Sequence, residues 1–416
     1  MLVSDFNYDL PEERIAKFPP KERGTTRLLV LDRKSGEVKD SFYRNLDELL
    51  NPGDLLILND TRVMQSRLFC ELPDGREREL VVLEKHGDEP QRVMYRGKLH
   101  DGDVLFIKFE GIRSAAARGR APSARGARPL GRELPKANGP DGRGPRIDEK
   151  CIRIKHILGN GIAEVESKTP LSELAEEYGT VPLPPYLHRD ATDEDKKRYQ
   201  TVWAKNMGSA AAPTASLNMT EDLMKRLQDK GVIIKYLTLH VGLGTFLPMR
   251  TDNVEDHKMH SEWFNIPDDT LAEIKRVSEE ANVLLRGIRD DAPVEIKRIT
   301  DGWPSLGDPQ PSLCEDGGKC EDRTRPRIVA VGTTVARTLE YYAKTGKTSG
   351  EDDIFIYPGF EFKIVDALLT NFHAPKSTVL MLASAFAGWD HLHHAYDYAV
   401  SQKYNFLSYG DSMFIC

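Results

Sequence analysis

The stretch RIVAVGTTVARTL, residues 327–339, decides the fold. Residues 328–331 are apolar and predict a buried strand, Gly332 is suited to a tight turn, and the spacing from Val335 to Leu339 predicts a helix. Thr333 and Thr334 stand where that helix begins. Free backbone N–H groups and the helix dipole at such a point favour an anion, either a phosphate or an amino-acid carboxylate. An ordinary helix cap remains the alternative interpretation.

The alternation of apolar strands with helical patterns extends over the chain from residue 171 onward. This alternation is typical of an α/β domain. A hairpin of strands, at residues 27–31 and from 38, and a buried strand at 55–58 come earlier in the sequence. The later strands are predicted at residues 233–239, 327–331, 354–356 and 406–408, and the helices at 171–178, 193–202, 220–230, 270–282, 335–344, 378–387 and 391–403.

Residues 67–108 and 151–166 have a different pattern, with short β-like runs that Gly and Asp turns separate. Short strands at close spacing without helices between them predict a small barrel or a sandwich. Residues 111–146 interrupt this region with Gly, Ala, Pro and Arg, and we expect them to be disordered because they bury little apolar surface. A second insertion at 287–326, rich in Asp, Gly and Pro, is predicted to be a surface loop.

Composition limits the possible functions. The 416 residues are 39% hydrophobic and 30% charged, with a formal net charge of -7, which is typical of a globular protein and unlike a uniformly basic nucleic-acid binder. Residues 111–146 carry eight Arg and one Lys against two acidic residues, so any polyanion would meet a local patch; a solvated insertion without a binding role is the favoured interpretation.

Targeting and cysteine signals are weak. The sequence has no apolar run of membrane-spanning length, and its first ten residues do not look like a secretory signal. Five scattered cysteines form no CxxC pair. We therefore expect a cytoplasmic protein with no membrane association and no metal.

Three further segments hold residues suited to chemistry. The segment TLHVGLGTF, residues 238–246, places His240 close to two glycines after a strand, and a lone GxG does not indicate a dinucleotide site. His257 and His260 precede Glu262; a metal would need a further ligand and a different spacing, so a polar site lining or a hydrogen-bonded pair is favoured. Residues 369–378 cluster Asn, His and Lys in a loop before an apolar helix, a common position for a site.

Taken together, these motifs resemble the S-adenosylmethionine:tRNA ribosyltransferase-isomerase family of queuosine biosynthesis. The resemblance covers nearly the whole chain except the two insertions. The segments that carry it are 59–63 (NDTRV), 180–186 (TVPLPPY), 198–202 (RYQTV), 211–215 (AAPTA), 238–246 (TLHVGLGTF), 257–262 (HKMHSE), 330–334 (AVGTT), 355–360 (FIYPGF), 369–373 (LTNFH) and 408–411 (SYGD).

The resemblance implies an architecture and a reaction. Residues 1–62 and 169–416 would form a large mixed α/β domain, into which residues 63–168 are inserted as a small β-barrel. The ribosyl moiety of S-adenosylmethionine would be transferred to 7-aminomethyl-7-deazaguanine at the wobble position of tRNA and isomerised to epoxyqueuosine, with release of adenine and methionine. The implied partners are tRNA and S-adenosylmethionine, the latter as co-substrate, with no cofactor.

The chemistry of that reaction points to particular side chains. His240, His260 and His373 are the candidates for acid, base or substrate orientation, with Glu262 in support; a hydrogen-bonded structural histidine is the alternative for each. The candidates for substrate binding are Thr333, Thr334 and Arg337 for an anion, Arg62, Arg189 and Lys376 for phosphate or carboxylate, and Pro213, Thr214, Gly242, Gly244, Thr245 and Asn371.

One segment departs from the family's pattern. After AAPTA the family usually continues Gly-Leu-His-Phe, whereas this chain has Ser216, Leu217, Asn218 and Met219. This departure keeps two other functions open. One is a paralogue that uses S-adenosylmethionine with another acceptor, and the other is a catalytically silent RNA-binding homologue.

Overall fold

A computed structural model describes residues 1–83, 90–108, 150–159, 161–242, 249, 251–287 and 325–416, without the side chains of residues 281–287. The predictions for residues 111–146 and for most of 287–326 therefore lie outside the described residues. The chain forms two compact units. The first comprises Met1–Arg62, Pro184–Asp190 and Lys197–Cys416, and the second Val63–Leu183 and Ala191–Lys196.

Seventeen strands and eight α-helices occur in the described part of the chain. The strands are β1 (Arg27–Leu31), β2 (Val38–Phe42), β3 (Leu55–Asn59), β4 (Thr61–Val63), β5 (Arg67–Glu71), β6 (Glu77–Val82), β7 (Arg92–Arg96), β8 (Val104–Ile107), β9 (Cys151–Gly159), β10 (Ile162–Ser167), β11 (Asn206–Ser209), β12 (Ile233–Leu239), β13 (Glu262–Asn265), β14 (Ile328–Val331), β15 (Ser349–Asp352), β16 (Ala367–Asn371) and β17 (Ser412–Ile415). The α-helices are α1 (Leu46–Leu49), α2 (Leu171–Tyr178), α3 (Asp193–Arg198), α4 (Glu221–Asp229), α5 (Asp268–Gly287), α6 (Thr333–Thr345), α7 (Thr378–Ala387) and α8 (Trp389–Ser401).

A nine-stranded mixed sheet organises the first unit, in the order β15-β13-β12-β3-β14-β16-β17-β1-β2. The strands from β12 to β16 in this order are parallel, and β17 runs antiparallel to β16. Strands buried on both faces read as continuous apolar runs, and β3 and β14 show this. Leu55 and Ile57 pack into one core with α5 to α8, while Leu56 and Leu58 pack into a second core with α1 and α4.

The second unit contains a closed six-stranded barrel in the order β10-β7-β6-β5-β8-β9. Alternate strand residues such as Leu68, Leu80 and Ile152 fill its interior. The sequence pattern is compatible with a barrel and with a sandwich, and the structure is a barrel. This unit runs beyond the expected boundary at residue 168, because Leu174 and Ala175 of α2 bury their side chains in the barrel core.

The predicted class, a mixed α/β domain with a small β-barrel, is confirmed, but three local predictions are wrong. Residues 354–356 and 406–408 are not strands. Ile354 and Ile356 are buried in irregular chain, and Phe406 is buried and forms only an isolated bridge with Ile15, so burial rather than strand formation explains their apolar character. The predicted helix at 193–202 ends at Arg198. Within the described residues, no helix is long and apolar enough to cross a membrane.

Candidate active site

The turn between β14 and α6 has the conformation that the sequence predicts. Gly332 has φ 98° and ψ 150°, a region essentially reserved for glycine, and its N–H donates to Leu369 O of the adjacent strand at 2.8 Å. This bond sets the beginning of α6 beside the end of β16. Thr333 and Thr334 therefore lie at the carboxyl edge of the parallel strands, where ligands of open α/β sheets usually bind.

An open cavity of about 280 Å³ lies at this edge. Its wall is mostly apolar, with polar groups from the α6 N-terminus and from the ends of strands, the usual composition of a small-molecule site. The lining residues are Tyr186, Ala212, Pro213, Thr214, Ala215, Val241, Gly332, Thr333, Thr334, Thr370, Asn371, Phe372, His373, Ala374, Pro375, Ser377, Val379, Leu407 and Ser408.

The small-residue segment at 211–215 forms one side of the cavity. It is held by buried hydrogen bonds: the Tyr43 hydroxyl donates to Ala215 O at 2.7 Å, and Ser209 Oγ donates to Ala211 O at 2.6 Å. Small side chains let this backbone approach the cavity closely. The structure thus brings Pro213 and Thr214 together with Thr333, Thr334 and Asn371 in one cavity wall.

His373 lies in the cavity wall with its main chain fixed on both sides. Its N–H donates to the Tyr396 hydroxyl at 2.9 Å, and its carbonyl accepts from the Tyr8 hydroxyl. Its Nε2 lies 2.9 Å from Thr370 Oγ1. Burial of the imidazole lowers its pKa to about 3, so the ring is neutral near pH 7.

Sequence reasoning did not assign site roles to Tyr186, Thr370 and Ser408, which also line the cavity. The Tyr186 hydroxyl and Ser408 Oγ lie 2.5 Å apart, and burial raises the pKa of Tyr186. Tyr186 ends the motif TVPLPPY, Ser408 begins SYGD and Thr370 lies in LTNFH. These motifs are the sequence features that indicate the three residues. Asn371 is buried beside them and donates from Nδ2 to Asp411 O at 3.4 Å.

His240 is buried outside the cavity wall. Its Nδ1 lies 2.8 Å from Thr61 Oγ1, and its ring stacks on Trp263 with centroids 5.2 Å apart. Its neighbour Val241 does line the cavity. His240 is therefore suited to holding Val241, and with it the cavity wall, in position.

Glu262 and Arg337 belong to a buried ion cluster. Arg337 Nη2 donates to Glu262 Oε2 at 2.6 Å, and Arg337 Nε donates to Asp352 Oδ2 at 3.2 Å. Glu262 Oε1 accepts from the Gly242 N–H at 2.8 Å. Burial raises the pKa of Asp352, and the Arg337 charge opposes that rise. The cluster links α6 to Gly242. It also pairs the Arg337 guanidinium, which the sequence predicts to bind an anion of the substrate, with two carboxylates of the protein itself.

The other candidates lie apart from the cavity wall. His260 is exposed on an irregular segment rather than a helix; burial, and then the charge of His260, lower the pKa of its neighbour His257. Arg62 and Lys376 are exposed, and Arg189 donates from Nε to Lys17 O at 2.6 Å. Gly244 and Thr245 lie outside the described residues. Among those described, no group of three or more His, Cys, Asp and Glu could hold a metal ion.

The fold is that of an α/β protein with an inserted β-barrel and a cavity at the carboxyl ends of its central strands. Comparison with known sequences makes this specific. The model of the family described as queuosine biosynthesis protein matches residues 3–285 and 319–415, and the chain belongs to that family.

Its relatives match over their entire length. The S-adenosylmethionine:tRNA ribosyltransferase-isomerase of Pelodictyon phaeoclathratiforme is 44% identical, and that of Halothermothrix orenii 39%, each with 100% of both chains covered. The crystal structure of S-adenosylmethionine tRNA ribosyltransferase from Thermotoga maritima is 27% identical, covers 99% of this chain and 100% of its own, and gives a TM-score of 0.46.

Proposed function

We propose that this protein transfers the ribosyl moiety of S-adenosylmethionine to 7-aminomethyl-7-deazaguanine at the wobble position of tRNA and isomerises it, giving epoxyqueuosine. Adenine and methionine leave. The observation that carries the proposal is the cavity at the N-terminus of α6. It occurs in a chain whose relatives, matched over their full length, are named S-adenosylmethionine:tRNA ribosyltransferase-isomerase. The cavity has a mostly apolar wall with a few polar groups, the usual composition of a small-molecule site.

The methionine carboxylate is assigned to the beginning of α6. The first N–H groups of this 13-residue helix have no acceptor within the helix, and the helix dipole favours negative charge there. The Thr333 and Thr334 hydroxyls add donors. Because Arg337 is engaged by Glu262 and Asp352, this site relies on backbone and hydroxyl groups rather than on a guanidinium.

A hydrogen bond to the departing adenine is assigned to the wall that carries His373. The reaction needs a base that removes a proton from the carbon beside the sulfonium, whose positive charge makes that proton acidic. The departing adenine needs a hydrogen-bond donor or an acid. A neutral imidazole bonded to Thr370 can accept or donate a hydrogen bond without carrying charge into an apolar cavity. His240, Glu262 and Arg337 are proposed to position the wall, since each is buried behind it.

The segment that departs from the family's pattern bears on the alternatives. Ser216, Asn218 and Met219 are buried, and Met219 packs with Tyr43 and Leu223 in the second core. Among the described residues, the cavity wall ends on this side at Ala215. The departures thus alter packing below the wall, which supports the family reaction over a changed acceptor.

Release of adenine tests the proposal. Purified protein is mixed with S-adenosylmethionine and a tRNA that carries the aminomethyl-deazaguanine base, and free adenine and epoxyqueuosine are quantified by chromatography. We expect both products, in equal amounts, only when both substrates are present. A tRNA with unmodified guanine serves as control. Adenine formed with another acceptor alone would indicate a paralogue, and salt-dependent tRNA binding without turnover would indicate a silent RNA-binding homologue.

A further inference from the structure

An exposed aromatic side chain contacts Arg189, which follows the cavity-lining Tyr186 by three residues. Phe18 is 61% exposed, more than any other large apolar side chain in the described part of the chain. The Arg189 guanidinium carbon lies 4.3 Å from the centre of its ring, so one face is covered by a cation. The remaining exposed area is available to a second flat group.

The local backbone holds this ring outward. Pro19 and Pro20 follow Phe18, and a residue before proline is confined to extended conformations. The preceding segment is anchored, since Ala16 N–H donates to Phe406 O at 3.3 Å. Arg189 Nε donates to Lys17 O at 2.6 Å. Binding at Phe18 therefore costs little additional ordering.

Two short connections join this place to the cavity. Arg189 is three residues from the lining residue Tyr186, a span of at most ~11 Å of chain. Its guanidinium carbon also lies 5.9 Å from the ring centre of Tyr409, which follows the lining residue Ser408. These connections put Phe18 within reach of a polymer that has one unit in the cavity, a few units along its length.

The surroundings are positively charged on a chain with net charge -7. Arg198 donates to Lys21 O at 3.4 Å, and the charge of Arg198 contributes, after burial, to lowering the pKa of Arg23. The cations on and beside this segment are Lys17, Lys21, Arg23, Arg189 and Arg198. Lys17 is paired with Glu12 at 2.9 Å, so the others carry the positive charge of this surface.

We infer that Phe18, with Arg189 behind it, is an RNA-binding platform on which an unpaired base from the same loop as the modified nucleotide stacks. Exposed aromatic rings among cations bind single-stranded RNA in this way: bases stack on the ring while the cations meet phosphates. The inference rests on the proposed function for its RNA, the loop of a tRNA. It assigns a binding role to Phe18 that is independent of the chemical step.

Phe18→Ala tests the platform, with a matched control. Phe42 is also exposed and also has an arginine over its ring, with the Arg44 carbon 4.9 Å from the ring centre, but it lies on β2, three strands from β16. We expect Phe18→Ala to raise the Kd for tRNA about tenfold, since loss of one stacked base is a substantial part of binding. Phe18→Trp keeps a stacking surface and should bind within about twofold of the parent, while Phe42→Ala leaves the Kd unchanged.

Two further readouts distinguish the loss of a stacking surface from a disturbed fold and from a failed reaction. The KM for S-adenosylmethionine should stay constant in Phe18→Ala; an equal rise would point to a disturbed fold and overturn the inference. Equal effects of Phe18→Ala and Phe42→Ala, an unchanged tRNA Kd, or no tRNA binding by the parent protein would overturn it too. If the parent binds tRNA but releases no adenine, and Phe18→Ala still weakens binding, the proposed function fails while the platform stands.

Discussion

Arg337 and Glu262 form a buried ion pair, with Nη2 and Oε2 2.6 Å apart and side-chain exposures of 6% and 4%. Asp352 completes the cluster on the other side of the guanidinium. One turn earlier in α6, Thr333 and Thr334 line the cavity. The cluster therefore fixes the helix end that we assign to the methionine carboxylate.

Removing the guanidinium should destabilise the protein strongly. In Arg337→Met, Glu262 and Asp352 remain buried without their partner, and breaking a buried pair typically costs about 3–5 kcal/mol. Urea unfolding measures the change. The exposed pair of Arg226 with Asp47 is the control, and Arg226→Met should cost at most about 1 kcal/mol. A loss of similar size in both variants would contradict this role for the cluster.

Gly332→Ala should damage substrate binding more than stability. An alanine at φ 98° and ψ 150° is strained by about 1–3 kcal/mol and shifts the start of α6. We expect a higher KM for S-adenosylmethionine. Gly346→Ala at the other end of α6, where φ is 72° and the space is open, should lower stability and leave this KM unchanged. Unaltered KM in Gly332→Ala would remove the α6 N-terminus from the site.

His373→Gln should lower kcat for adenine release about 100-fold, the smaller end of the loss when one preorganised hydrogen bond to a group that gains charge in the transition state is removed. Its KM for S-adenosylmethionine should change less. His391 is a suitable control, since its Nδ1 is 2.9 Å from Arg33 O and it lies outside the cavity wall of the described residues. His391→Gln should retain kcat. Full activity of His373→Gln would show that the ring only packs.

The same residue should link stability to acid. The folded pKa of His373 is about 3, and its unfolded value is ~6.5, so between these values the unfolded chain binds a proton that the folded chain does not. The free energy of unfolding that neutral His373 supports is fully present above pH ~6.5. It falls as the pH is lowered toward 3, by at most about 1.4 kcal/mol per pH unit. Urea midpoints at pH 7 and 5 should differ less in His373→Gln than in the parent. Identical differences would rule out this linkage.

Restoring the family's aromatic at residue 219 should not improve the enzyme. Met219 is fully buried in the second core, and a larger, stiffer ring there costs about 1–3 kcal/mol by overpacking. We expect Met219→Phe to unfold at lower urea while adenine release per folded molecule is unchanged. A gain in adenine release from Ser216→Gly, Asn218→His and Met219→Phe together would show that the native segment is catalytically retuned.

Local pattern predicts the parts of this fold that local forces determine. The turn at Gly332 and helix α6 follow from an apolar run, a glycine and two threonines, and the cavity forms where that motif predicts an anion site. The strand predicted at residues 406–408 is wrong because Phe406 is apolar for burial among aromatic rings, which sequence does not distinguish from a strand.

The candidate site was less predictable, because sequence shows residue types and not directions. His240 and His373 are equally suited by chemistry, yet only His373 lines the cavity in the described structure. Arg337 follows the predicted anion site by one helical turn, but its charge is engaged by carboxylates from β13 and β15. Such pairing between distant segments requires the tertiary structure.

The place of β17 has a consequence for how the chain folds. The hairpin β1–β2, at residues 27–42, joins the large sheet through β17 at residues 412–415. During synthesis the hairpin must therefore wait for almost the whole chain, and closing so long a loop makes the step slow. Until then the edge of β1 is unpaired and prone to bind other chains. Substitutions in β17 should therefore reduce the yield of folded protein in cells before they alter its catalysis.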